Sequence, residues 1–93
     1  MPYIKPEKRK NIINCLEDLN LETIGDINFT ITYLLHGCLK VIVMRMGKIS
    51  YQDINELIGV LECAKLELYR QIAAPYEDIK KKENGPVSEL DSK

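Results

Sequence analysis

SYQDINELIGVLECAKLELYRQIAAPY, residues 50–76, is the stretch whose reading decides the fold. Ser50 and Asp53 form an S-x-x-[DE] capping box, in which each side chain satisfies a free backbone N–H at a helix start. Ile54, Leu57, Ile58, Leu61, Ala64, Leu68 and Ile72 then recur at helical spacing and make one stripe ~120° wide. Pro75 closes the pattern. It has no backbone N–H and biases Ala74 toward extended geometry, so the helix is expected to end or kink sharply there. The reading is a long central helix over about 50–74 whose stripe faces two preceding helices.

Two further sides of this helix carry more than one intramolecular face needs. A band of Tyr51, Asn55, Glu62, Leu66, Tyr69 and Ala73 mixes aromatic, amide, carboxylate and apolar groups. The remaining side holds Gly59, Val60, Cys63, Glu67, Arg70 and Ala74. Gly59 costs a helix ~1 kcal/mol against alanine. With Cys63 and Ala74 it lets another helix approach closely. A helix ~38 Å long is hard for so short a chain to surround. A subunit interface or ligand groove at Gly59, Val60, Cys63 and Leu66 is therefore expected, against the alternative of a helix buried on two sides within one monomer.

Upstream, Pro2 and Pro6 keep Met1–Lys5 extended, and Pro6 suits the first position of a helix over about 6–19, with Ile12, Ile13, Leu16 and Leu19 at helical spacing. Lys8, Arg9 and Lys10 are read mainly as a solvated basic face. Thr23 and Asp26 make a T-x-x-D pattern, with Asp26 itself a candidate cap for a helix over about 26–46. Ile27, Ile31, Leu34, Leu35, Cys38, Leu39, Val41, Ile42 and Met46 share its broad face. LKVIVMRM would pass for a strand in isolation, but no second alternating run exists to pair with it. Gly47 fits a helix stop. Beyond Pro75, Tyr76–Glu83 has room for two more turns, Lys80–Lys82 is a solubilising run, and Asn84-Gly85-Pro86 is a strong breaker. The fold expected is all-α, a small three-helix bundle and oligomeric, with one domain over 1–87 and a polar flexible tail over 88–93.

The 93 residues, 45% apolar and 29% charged with a net charge of −1, describe an ordinary globular chain. Length allows one small domain whose core stabilises only modestly. There is no basic surplus to drive nucleic-acid binding, which is left as a weak reading for the clusters at Lys8–Lys10 and Lys80–Lys82. Cys15, Cys38 and Cys63 are widely spaced, no CxxC is present and His36 is the sole histidine, so neither a zinc site nor a disulfide framework is expected. Buried free thiols in a reducing cytosol are the simpler reading. MPYIKPEKRK lacks the apolar segment of a signal peptide. The apolar run Ile27–Met46 is broken by Asn28, Thr30, Thr32, His36, Lys40 and Arg45 and is read as too polar to span a membrane. A cytoplasmic protein with no membrane partner and no cofactor is expected.

Catalysis finds little support. Glu62, Glu67 and Glu77 are possible acid–base groups, yet no nucleophile–base pair, phosphate loop or metal constellation accompanies them. Glu62 with Lys65, and Glu67 with Arg70, have the spacing of pairs that brace a helix surface. The chain is read as a non-enzyme.

MPYIK at the start, GDINFTIT, SYQDINELIGVLECAKLELYR and APYEDIKKKENG together resemble a family of small uncharacterised proteins of bacteriophages and prophage-bearing bacterial genomes, over residues 1–87. The family's ending is similar to ENGDV; here Pro86 replaces the acidic residue. Its recurring polar positions match Tyr3, Lys5, Asn28, Thr32, Tyr51, Asn55, Glu62, Lys65, Glu67, Tyr69, Arg70, Tyr76, Glu77 and Asn84. The resemblance implies a bacterial host cell and, by analogy of setting, an accessory protein that binds something of the host's. The expectation is a homo-oligomer gripping a small anionic, nucleotide-like ligand, an immune signal being one such target. Tyr3, Lys5, Asn28, Tyr51, Asn55, Glu62, Lys65, Tyr69, Arg70 and Tyr76 are its candidate contacts, since tyrosines stack on bases and cations meet phosphates. The alternative is an adaptor or inhibitor that docks on a host protein through the second face of the central helix.

Overall fold

A computed structural model describes all residues 1–93. The chain is all-α: α1 Pro6–Glu17, α2 Ile24–Met46, α3 Tyr51–Leu68, a π turn Tyr69–Ala73, α4 Ala74–Asn84 and a 3-10 turn Glu89–Asp91. Helical backbone is continuous from 51 to 84, so the long C-terminal helix is one of three. The chain divides into two units, Met1–Val60 and Leu61–Lys93.

In the first unit the local signals act one by one. Pro6 opens α1, and the extended arm before it is tied down by Arg9, whose Nε–H donates to the Ile4 carbonyl at 2.7 Å. Thr23, not Asp26, caps α2. Its Oγ1 accepts from the Asp26 N–H at 3.1 Å while Asp26 Oδ2 accepts from the backbone of Thr23 and Glu22. The T-x-x-D pattern was therefore a complete capping box with Asp26 as its third helical residue, and α2 starts two residues earlier than expected. Gly47 ends α2 at φ 85°, where a β-carbon would be strained. Ser50 and Asp53 form the second box, with Ser50 Oγ accepting from the Asp53 N–H at 3.2 Å and Asp53 Oδ2 accepting from the Ser50 N–H at 2.9 Å.

In the second unit Pro75 behaves differently from expectation. Ala74 is helical at φ −62°, ψ −46°, and the helix neither ends nor turns extended. In a regular α-helix the Pro75 ring would meet the Gln71 carbonyl and its missing N–H would break the ladder. The chain instead inserts one residue: the Ala74 N–H reaches back five residues to the Tyr69 carbonyl, making a π turn. α4 then runs to Gly85, at φ 87°, whose N–H donates to the Lys81 carbonyl at 2.8 Å. Past Pro86, Ser88 caps the short 3-10 turn, with its Oγ accepting from the Leu90 N–H and Asp91 accepting from Val87 and Ser88.

What these well-formed helices lack is an interior. No residue of the chain is buried. Within the first unit, α1 and α2 do not pack on each other, nor on the first half of α3. The apolar stripe of α3, expected to face two earlier helices, is open: Ile58 is 58% exposed and Leu68 64%. On α2, Leu35, Gly37, Cys38, Leu39 and Ile42 are half-covered, as are Asp26 and Thr30 nearer its start, and the rest is exposed. Cys15 and Cys63 are exposed and Cys38 half-buried, so the thiols are not the buried ones expected. An 18-residue window of the 23-residue α2 reaches a mean hydropathy of 1.5, long and apolar enough to cross a membrane by length and composition alone, a test that core helices of soluble proteins pass as well.

Candidate functional site

The residues singled out in the sequence fall into two groups. Tyr3 and Lys5 lie on the N-terminal arm, Asn28 on α2, and Tyr51, Asn55, Gly59 and Val60 on α3. Tyr3 lines a shallow hollow of about 260 Å³ with Pro2, Ile4, Arg9, Ile12 and Ile13. The Asn28 carbonyl accepts from Thr32 Oγ1 at 2.8 Å. Because the helices carrying these residues do not pack on one another, the first unit does not gather them into one cluster.

The second unit does gather its share. Lys65 pairs with Glu62 at 2.9 Å and Arg70 with Glu67 at 2.8 Å, each one helical turn apart. Tyr69 donates its phenol to the Glu77 carboxylate. Lys80 sits over the Tyr76 ring, 5.7 Å from its centre, and pairs with Glu83 at 3.2 Å. Thus Tyr69, Arg70 and Tyr76, with Glu77 and Lys80, which were not among the candidate ligand contacts, occupy one π turn and the two turns that follow it.

The π turn is what brings Tyr69 and Glu77 together. Residues eight apart in an α-helix are ~80° apart around the axis, whereas residues seven apart differ by only ~20°. Absorbing one extra residue gives the i,i+8 pair the azimuth of an i,i+7 pair. The Glu77 carboxylate, first by hydrogen bonding to the phenol and then by its charge, pushes the Tyr69 pKa up, with smaller contributions from desolvation and Asp78. The sequence signal for this pair was Pro75 itself, read as an end or sharp kink of the helix rather than as the cause of an inserted residue.

Glu77 also borders an open concavity of about 410 Å³ with Asp78, Lys80, Lys81, Gly85, Val87 and Asp91. Its rim alternates carboxylates and ammonium groups, so it presents both signs of charge. A second hollow, on the first unit, is of opposite character. His36, Leu39, Lys40, Val43, Met44 and Ile49 line about 560 Å³ of mainly apolar surface. No group of three or more His, Cys, Asp or Glu side chains is placed to hold a metal ion.

The helices and this polar segment define a small all-α protein. The chain belongs to the family described as a domain of unknown function (DUF6899), which matches residues 1–87. No curated protein and no solved structure matches it.

Proposed function

We propose that this chain is a non-enzymatic accessory protein of phage type, working in the bacterial cytoplasm, that assembles with itself and binds a small anionic, nucleotide-like ligand, so sequestering a host immune signal. The observation that carries the ligand is the segment Tyr69–Lys80. There a π turn sets two exposed tyrosine rings, Arg70 and Lys80 within about three turns of helix. Tyrosine faces suit base stacking and guanidinium or ammonium groups suit phosphate. Inserted π turns recur at functional sites because they re-aim side chains that a regular helix would disperse. Both cations already have carboxylate neighbours at 2.8–3.2 Å. A phosphate would therefore exchange one anionic partner for another rather than fill a vacancy.

A second reading, docking on a host protein through α3, is favoured by the exposure of Val60 and Leu66, at 61% and 55%. Native mass spectrometry of protein purified from phage-infected cells separates the two. Ligand binding requires a co-purifying small mass that is lost in Tyr69→Ala/Arg70→Gln. One host protein at fixed stoichiometry, with no small mass and no thermal shift against a panel of cyclic and ADP-ribose-type nucleotides, would replace this proposal with the second.

A further inference from the structure

We infer that the apolar faces of α1, α2 and α3 are covered by further copies of this same chain, and that the helices reach their folded state only as that assembly forms. The inference gives a surface and a partner to the oligomeric part of the reading above, and it stands whether or not a nucleotide binds.

Its first ground is area. The chain exposes 8617 Å². A compact monomer of 10.7 kDa exposes about 5,500 Å² on the usual mass scaling. The difference, about 3,100 Å² per chain, is several times the ~800 Å² per partner of an ordinary interface and reaches the upper end of obligate homo-oligomers, about 2,500 Å² or more per partner. Patches of a few hundred Å² are ordinary on monomers; this excess is far larger.

The second ground is where the apolar residues lie. Ile12 and Leu16 on α1, Ile31 and Leu34 on α2, and Ile54 and Ile58 on α3 are all exposed, at 39–63%. Each pair has the three- or four-residue spacing of a face meant for another helix. A transient partner docking on one helix would leave the other two faces in water. A bilayer would cover α2 alone, and it would have to accept His36 and Lys40 near the middle of the span. A second copy brings the same three faces, and with a net charge of −1 the copies have little repulsion to overcome.

Glycine supplies a third, smaller ground. A β-carbon built at Gly37 or Gly59 would meet nothing within 4 Å, so nothing in the chain itself needs these helix-weakening residues. A helix arriving from another copy gives both a use.

The test uses the full chain in detergent-free buffer. Light scattering coupled to size exclusion should give a multiple of 10.7 kDa. Urea unfolding followed by circular dichroism should have a midpoint that rises with protein concentration over a hundredfold range. A helical 10.7 kDa monomer with a concentration-independent midpoint overturns the inference. So does protein that stays in solution only with detergent or lipid, which would give α2 to the bilayer. Ile58→Asp adds a check on the surface. An unfolded monomer supports coupled folding, a folded monomer refutes it, and an unchanged assembly removes the α3 stripe from the interface. Ligand loss alone would leave all these masses unmoved, so failure of the nucleotide reading is told apart from failure of this one.

Discussion

Replacing Pro75 by alanine should do two things that ordinarily oppose each other: strengthen the helix and destroy a side-chain bond within it. Alanine restores the missing N–H and removes the ring that an α-helical Gln71 carbonyl would strike. The propensity difference between the two residues in a helix interior is about 3 kcal/mol. Because the π turn already relieves part of that conflict, the gain expected is about 1–2 kcal/mol. Once the inserted residue is drawn back into a regular α-helix, Glu77 rotates from ~20° to ~80° away from Tyr69 and rises to ~12 Å along the axis, beyond hydrogen-bonding reach. The readout is tyrosine ionisation by absorbance across alkaline pH. In the native chain the Tyr69 pKa is raised by Glu77 above the ordinary tyrosine value of 10.0. The raised value means that the pairing stabilises the fold fully below pH 10 and that this stabilisation is lost as pH climbs through the folded-state pKa. Pro75→Ala should return the high-titrating tyrosine to the ordinary range, as Glu77→Gln should, and Tyr69→Phe should remove it. Survival of the raised titration in Pro75→Ala would refute the claim that the π turn creates the pair.

The caps give further expectations. Thr23→Ala removes the acceptor of the Asp26 N–H and should cost about 1 kcal/mol by urea unfolding. Asp26 is held below its ordinary pKa of 3.8 by the backbone N–H groups of Glu22 and Thr23 and by the Thr23 hydroxyl. Its contribution is therefore present above about pH 4 and lost as pH falls through the lower folded value, and Asp26→Asn should flatten that acid limb of the stability profile. Gly47→Ala forces a β-carbon into the left-handed region at φ 85° and should destabilise by about 1–2 kcal/mol, despite the open space around it. Gly59→Leu, by contrast, replaces a helix-weakening residue beside open space. It should leave the helicity of an isolated chain no lower, while lowering the mass or stability of any assembly that packs there; no change in either would discard close packing at Gly59.

The parts of the fold that were legible in the sequence are those decided within about four residues. Ser50-x-x-Asp53, Gly47 and Gly85 act through hydrogen bonds and φ preferences that need no distant partner, and each ends or begins a helix where it was read. Thr23-x-x-Asp26 was legible too, but two residues both looked like the cap; only the reciprocal bonds, with Asp26 reaching back to the Glu22 and Thr23 backbone, decide between them. Of the two readings of Pro75, a helix end or a sharp kink, the end fails because a proline in a helical pattern can also be met by widening the turn, and the relative cost depends on what the following residues gain. Here Tyr76–Asn84 continue the helix, and the Tyr69–Glu77 bond adds to the widened form. Of the candidate site, the i,i+3 pairs Glu62–Lys65 and Glu67–Arg70 followed from spacing alone. Tyr3, Lys5, Asn28 and Tyr51 were grouped by the family resemblance and by residue type, neither of which states which residues a fold brings together.

The apolar stripes were the most legible feature and led to the least accurate expectation. A stripe such as Ile54, Leu57, Ile58 and Leu61 states that one side of a helix belongs against another apolar surface, and it is silent on whose surface that is. Assigning it to the chain's own α1 and α2 assumed that a 93-residue chain closes its core on itself. That assumption fails on magnitude. Ordering a residue costs roughly 1–2 kcal/mol in backbone freedom, while a chain with no fully buried residue recovers less of it from apolar burial than a compact domain of its mass does. α1, at 12 residues, is at the ~12–15 residues where isolated helices are marginal in water, while the 23-residue α2 and the continuous helical run over 51–84 lie above it. Well-made caps cannot close that gap, since each supplies about 1 kcal/mol. The assembly inferred above would supply stabilisation of that size from further copies of the chain. That is why the concentration dependence of unfolding, rather than any single substitution, bears most directly on how this protein holds its shape.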